Sequence, residues 1–225
     1  MRIYNSNLNP DIWYPEGSQI KSDIRIKLLQ VANDFYTESK LTVPIKDVLL
    51  LGSNANYNWT PTSDLDVHIV IDFSKLGMSL EDAKEYTNLI KYKWNAEHDI
   101  HIKTYNVETY IQDVNHKTHS TGIYSLLKNA WLVKPNKENV VLDKELIQKK
   151  YSDIVIRIND AIKEENLESL KLIFKDIYDF RQTGLDDSGE FSTENVVFKL
   201  LRNKNHIDRL KDAINKLYDK TISVD

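Results

Sequence analysis

Hydrophobic and polar positions alternate with two different periods along this chain, and the change of period divides it. Residues 1–17 are mostly polar and are interrupted by Pro10, Pro15 and Gly17; Trp13 and Tyr14 are expected to anchor this arm to the body. From about Ser22 to Ser39 apolar residues recur at helical spacing, with Ile24, Leu28, Val31 or Ala32, and Phe35 on one stripe. Pro44 closes a linker, and the apolar run Val48 to Leu51 reads as a strand that stops at Gly52-Ser53. After a polar turn, Leu65, Val67, Ile69 and Ile71 alternate with Asp64, Asp66 and His68, the period of a strand. Ser79-Leu80-Glu81-Asp82 has the form of a capping box and opens a helix expected to reach Glu97, with Ala83, Tyr86, Leu89 or Ile90, and Trp94 facing inward. The segment HDIHIKTYNVETYIQD alternates again and predicts a hairpin. A two-residue turn at Tyr105-Asn106 would set Lys103 opposite Glu108, although that pair is not a favoured turn.

The period changes for good after this hairpin. Ser120 is placed to cap a short helix through Ile123, Leu126, Leu127, Ala130 and Trp131, broken by Pro135. Beyond about Asp143 only helical periods remain: about 144–164, about 167–181 and about 193–220, with a Gly/Asp loop over about 183–191. The expected fold class is therefore α+β: a small mixed β-sheet of about four strands with flanking helices, followed by a helical C-terminal region. Domains are expected at 1–140 and 141–225.

Composition narrows this picture only a little. Hydrophobic residues make up 41% and charged residues 28% of 225, an ordinary globular balance that leaves room for a sizeable core. A net charge of -4 argues against broad, sequence-independent nucleic-acid binding. There is no cysteine, so disulfides, thiolate metal sites and thiol nucleophiles are excluded. No apolar run approaches a membrane span, and MRIYNSNLNPDIW lacks the apolar core of a signal peptide. A soluble, cytoplasmic protein without a membrane partner is expected.

The chemistry concentrates between Lys46 and Phe73. Asp64 and Asp66 share one face of a strand, and two such carboxylates can hold a hard divalent cation through oxygen. Gly52 lets the backbone approach a ligand closely, and the neighbouring amides can face a phosphate. Gly52-Ser53, ten residues, then Asp64-Leu65-Asp66 resembles the signature of the polymerase-beta-type nucleotidyltransferase superfamily. That resemblance implies a nucleotidyltransferase-type catalytic domain at 1–140. It further implies transfer of a nucleoside monophosphate from a triphosphate such as ATP to an acceptor hydroxyl, with Mg²⁺ or Mn²⁺ as cofactor. A third carboxylate on a later strand completes such a site, and Glu108, in mid-strand, is the choice; Asp99 is the runner-up. Asp64, Asp66 and Glu108 are thus the expected catalytic and metal-binding residues, and Gly52, Ser53 and Ser63 the expected phosphate contacts. Minimal members often carry Ala-Arg-Gly after the Gly-Ser, whereas Ala55, Asn56 and Tyr57 stand here. Across LNPDIW, SNANYNW, VETYIQD, TGIYSLLKNAW and ENVVFKLLRN the chain also resembles phage- and virus-borne members, which would place it in a host cytoplasm.

Each residue also has a plainer reading. Asp64 and Asp66 could be turn residues, Glu108 half of an ion pair with Lys103, and Trp59 a packing anchor instead of a base-stacking platform. His68 is read as a hydrogen-bonded sheet residue. His98, His101, His116 and His119 lack zinc-ligand spacing. Lys199, Arg202, Lys204, His206, Arg209 and Lys211 form a basic segment that is either a solvated helix face or, through Lys199 and Arg202, a contact to triphosphate. The acceptor could be an RNA end, a protein or a small molecule. The rival reading is a nucleotide-binding regulator or host-interaction protein that retains the fold without turnover.

Overall fold

The computed structural model describes residues 5–118, 120–136 and 142–223. Its contacts divide the chain into two compact units, 1–137 and 138–225. The boundary expected at 140/141 falls outside the described residues, as does His119.

The first unit is built on a six-stranded mixed sheet among the described residues: β1 (Asp47–Leu51), β2 (Leu65–Ile71), β3 (His101–Ile102), β4 (Tyr105–Asp113), β5 (Ile123–Ser125) and β6 (Ala130–Val133). The strand order is β3-β4-β2-β1-β5-β6, and every pair is antiparallel except β2 with β4. That parallel pair needs a crossover, which is provided by helix α2 (Leu80–Glu97). Helix α1 (Ser22–Glu38) precedes β1 and buries Ile24, Leu28, Ala32 and Phe35, the stripe expected from the sequence.

Alternation along the strands gives the sheet two unlike faces. Val48, Leu50, Leu65, Val67, Ile69, Ile71, Val107 and Ile111 join α1 and α2 residues in one core. The other face carries a small apolar group, Leu49, Leu51, Val70 and Ile123. Asp66, His68, Glu108, Tyr110 and Gln112 lie on it by the same alternation.

Ser79 caps α2 by accepting from the Asp82 amide at 3.1 Å. The Asp82 carboxylate accepts from the Ser79 hydroxyl at 2.7 Å, so the reciprocal bond of the expected capping box goes to the hydroxyl. On α2 the buried residues are Ala83, Thr87 and Trp94, whereas Tyr86 and Leu89 are exposed. Of the two expected anchors of the N-terminal arm only Trp13 is buried: it stacks on Trp131 at 4.5 Å and meets Tyr124 edge-on at 4.9 Å, while Tyr14 is exposed; Leu8 and Ile12 are buried beside it.

The sheet has six strands where about four were expected, and two further expectations are corrected in this unit. The segment 120–131 is not a helix but the β5–β6 hairpin, because Ile123–Ser125 completes the edge of β1 and Asn129 takes a left-handed conformation in the turn. The β3–β4 turn lies at Lys103-Thr104, with Lys103 at φ 59°. His101 therefore pairs with Asn106, and Lys103 does not stand opposite Glu108.

The second unit holds four helices among the described residues: α3 (Lys144–Lys163), α4 (Leu167–Ser188), α5 (Thr193–Asn203) and α6 (His206–Ile222). Their core includes Ile147, Ile158, Leu170, Ile173, Ile177, Val197, Leu201, Ile207 and Leu210. Helix α4 runs on to Ser188, into the segment expected to be a loop, and Gly189–Phe191 form a 3-10 turn. Gly184 lets the start of α5 pack closely against α4: a Cβ there would meet Glu194 Cβ at 2.4 Å and Ser192 Oγ at 2.6 Å. The single helix expected over 193–220 is broken at Lys204-Asn205, where Asn205 has φ 57°. Among the described residues no helix is long and apolar enough to cross a membrane.

Candidate active site

The site grows from the turn after β1. Gly52 has φ 70° and ψ -159°, a backbone conformation essentially confined to glycine. A Cβ there would stand 1.9 Å from Asp66 Oδ2, so the absence of a side chain is what lets this carboxylate lie against the turn. Ser53 to Ala55 then form one 3-10 turn. Its fixed point is Asn54, which is fully buried. The Asn54 side-chain amide donates to the carbonyls of Ser63 at 3.3 Å and Asp64 at 2.9 Å. Its side-chain oxygen accepts from Asn9 at 2.7 Å, and its backbone carbonyl accepts from Trp13 Nε1 at 2.7 Å. One asparagine thus ties the N-terminal arm, the Gly-Ser turn and the backbone of the first aspartate together. By residue type Asn54 is an ordinary turn former.

Ser53 and Ser63 lie in the same loop. The Ser53 hydroxyl donates to Ser63 Oγ at 2.9 Å, and Ser63, which is buried, also accepts from the Thr60 amide at 2.9 Å. Trp59 is half-buried and donates from Nε1 to the Asn7 carbonyl at 3.0 Å.

The acids are brought together by strand register. Leu51 of β1 pairs with Asp66 of β2, and Asp66 pairs with Glu108 of β4 in the parallel ladder. Paired residues of neighbouring strands point to the same face, so Asp66 and Glu108 are adjacent there. Asp64 stands two residues before Asp66, just ahead of β2, and all three are half-buried. Asp99 precedes β3, is mostly exposed, and lies 3.4 Å from His101 Nδ1. A cavity of about 450 Å³ between the end of α2 and the start of β4 has Glu108, Asp99 and His98 in its lining.

A layer of polar and aromatic groups continues from the acids along the same face. The Tyr110 hydroxyl donates to Glu108 Oε2. The Tyr110 ring stacks on His68 at 4.6 Å, and Lys91 Nζ lies 3.9 Å from its centroid. His68 Nδ1 meets Gln112 Oε1 at 2.6 Å, so His68 is a hydrogen-bonded sheet residue, as read from the sequence. Burial raises the Tyr110 pKa, and the negative charges of Asp66, Glu108 and Asp64 raise it further, so its hydroxyl stays a neutral donor. Burial lowers the His68 pKa to about 4, against the opposing bond to Gln112, and keeps the ring neutral near pH 7. The sequence placed Tyr110 on the face of Glu108 through alternation but gave no reason to single it out.

The donor set suits a hard divalent cation: three carboxylates and no soft ligand, with Asp66 and Glu108 on neighbouring strands of one face beside Gly52 and Asp64 just ahead of β2. Their side chains are more spread than a closed site requires. Among the described residues the group of three ligand-type side chains whose atoms all lie within 4.8 Å of one another is Glu38, Glu97 and His98. Those three are exposed. Lys93 Nζ already lies 3.1 Å from Glu38 and 3.4 Å from Glu97, an ion-pair network that accounts for the cluster. Lys199 and Arg202 belong to α5 in the second unit, where both are half-buried.

Compared with protein-family models, curated proteins and solved structures, the chain matches none.

Proposed function

We propose that the chain is a metal-dependent nucleotidyltransferase that moves a nucleoside monophosphate from a nucleoside triphosphate to an acceptor hydroxyl and releases pyrophosphate. The observation that carries this reading is the parallel register of Asp66 with Glu108, with Asp64 two residues upstream and Gly52 against the Asp66 carboxylate. Asp64, Asp66 and Glu108 would hold Mg²⁺ or Mn²⁺. When bound, the cation neutralises charge on the transferring phosphate and acidifies the acceptor hydroxyl.

The protein's own share is placement and proton handling. Backbone amides at Gly52-Ser53 would meet the triphosphate, where any side chain at position 52 would intrude. The acceptor oxygen forms a bond to the α-phosphorus, and the bond from that phosphorus to the bridging oxygen breaks. The electron pair departs with pyrophosphate, and the hydroxyl proton passes to a carboxylate, Asp66 or Glu108.

The test is incubation of the full chain with each α-labelled nucleoside triphosphate, Mg²⁺ or Mn²⁺, and host extract, followed by identification of the labelled product as RNA, protein or small molecule. Metal-dependent label transfer that disappears in Asp66→Asn is expected; equal transfer by that variant refutes the reading. A nucleotide-binding regulator without turnover is the second reading, favoured by the spread of the three carboxylates. It predicts triphosphate binding with no labelled product.

A further inference from the structure

One side chain outside the acid set touches a candidate metal ligand directly. Tyr110 stands two residues after Glu108 on β4 and therefore on the same face, and its hydroxyl donates to Glu108 Oε2. The ring that carries this hydroxyl is itself held. It stacks on His68 with an interplanar angle of 28°, and Lys91 covers it. His68 is fixed by Gln112, whose side-chain amide donates to Thr118 Oγ1 at 3.4 Å. A continuous set of contacts thus runs from Thr118 through Gln112, His68 and Tyr110 to one oxygen of Glu108.

We propose that Tyr110 is a positioning residue that fixes Glu108 for divalent-cation binding, one carboxylate oxygen being held by the phenol while the other is left for the ion. The proposal rests on the metal-site reading above. A glutamate has several rotatable bonds, and ordering it costs conformational entropy each time a cation binds. A donor that already holds one oxygen removes part of that cost and sets the direction of the other. Hydrogen bonds of this kind to a ligand are worth about 10–100-fold in metal affinity. The plainer alternative is that the ring only fills the space between His68 and Lys91. A phenylalanine would do that equally well, and this separates the two roles.

The experiment is Mn²⁺ binding to the full chain without nucleotide, followed by electron paramagnetic resonance and calorimetry. The proteins compared are wild type, Tyr110→Phe and Asp66→Asn, with melting temperature as the control for fold. Tyr110→Phe keeps the ring, its stack and the lysine contact and removes only the hydroxyl. The expected result is about a 10-fold weaker Mn²⁺ affinity, an altered Mn²⁺ spectrum and an unchanged melting temperature, with binding lost in Asp66→Asn. Wild-type affinity in Tyr110→Phe overturns the proposal and leaves the metal-site reading standing; tighter binding overturns it too, since the hydroxyl would then be competing with the ion. If wild type binds no Mn²⁺, both readings fall. Should Tyr110→Phe fold poorly, His68→Gln decides: it leaves the phenol and Glu108 in place but removes the ring that Tyr110 stacks on. A positioning role then predicts weaker Mn²⁺ affinity, and wild-type affinity in His68→Gln overturns the proposal.

Discussion

Replacing Gly52 with alanine tests the turn and the acid beside it in one variant. A Cβ at this position would stand 1.9 Å from Asp66 Oδ2 and 2.9 Å from Asp66 Cγ, but 3.4 Å from Asp66 Cβ, an ordinary contact. Two separate costs follow. The backbone conformation, φ 70° and ψ -159°, costs a non-glycine residue about 1–3 kcal/mol. The carboxylate must also retreat by about 1 Å to reach even 3.0 Å, the shortest approach that Cβ atoms tolerate. The backbone cost alone should lower the melting temperature of Gly52→Ala by about 4–12 °C, taking about 4 °C per kcal/mol for a unit of this size, and the displaced carboxylate adds to this. The variant should also lose Mn²⁺ binding while still folded. Asp66→Ala removes the two clashing atoms and keeps the tolerated one, so in that background only the backbone cost remains. Urea unfolding of wild type, both single variants and the double variant forms a double-mutant cycle with an expected coupling on the order of 1 kcal/mol. Strictly additive effects, or a Gly52→Ala midpoint equal to wild type, would refute this account of the turn.

Other outcomes follow from the same geometry. Asp64→Asn and Asp66→Asn should each abolish nucleotidyl transfer, with circular dichroism and melting temperature close to wild type; undiminished transfer by either would remove it from the metal-binding set. Glu108→Gln retains an oxygen that can accept from Tyr110 and removes the charge, so label transfer and Mn²⁺ affinity should collapse with little change in unfolding; retained activity here alongside loss in Asp99→Asn would mean that the third acid is misassigned. His68 supplies a pH signature. Its folded pKa, about 4, lies below the ordinary value of 6.5, so the unfolded state binds the extra proton and stability is lost as pH falls from 6.5 towards 4. The full loss is roughly 3 kcal/mol, and urea titrations at pH 7 and pH 4.5 should show a steeper decline for wild type than for His68→Gln; parallel declines would mean that the ring is not held neutral by burial.

The parts legible in the sequence are those whose signals are local. Helix α2 is announced by its N-terminal serine and acidic third residue, α1 by its apolar stripe, and β1 and β2 by an apolar run and an alternating one on either side of a Gly-Ser turn. Alternation also set Asp66 and His68 on one face of β2, with Asp64 just ahead of it. What escaped depends on distant partners or on single backbone angles. Residues 123–131 carry apolar positions at helical spacing, and only the free edge of β1, some 75 residues earlier, makes them strands. The β3–β4 register turns on the left-handed Lys103, an angle that a lysine does not advertise, and this removes the Lys103–Glu108 pair. The break before α6 rests in the same way on Asn205. Asn54 and Tyr110 are ordinary loop and strand residues by type. Their weight comes from the Asp64 carbonyl and the Glu108 carboxylate that the fold sets against them.

The wedge formed by Trp13 has a consequence for the order in which the first unit is made. Its indole donates to Asn54 in the Gly-Ser turn while its ring is gripped by Tyr124 and Trp131. During synthesis the arm, the turn and both aspartates leave the ribosome long before that aromatic grip exists. Strands β1 and β2 are near neighbours and can pair early, but the contacts that seat Trp13 span most of the unit, and such long-range closures are slow. The bonds that hold the turn, from Asn9, Trp13, Ser63 and Asp64, all lie within the first 64 residues, whereas the ring contacts of Trp13 wait for Tyr124 and Trp131. A nascent chain halted ahead of those two aromatics would carry every partner of the turn but leave the Trp13 ring uncovered on that side.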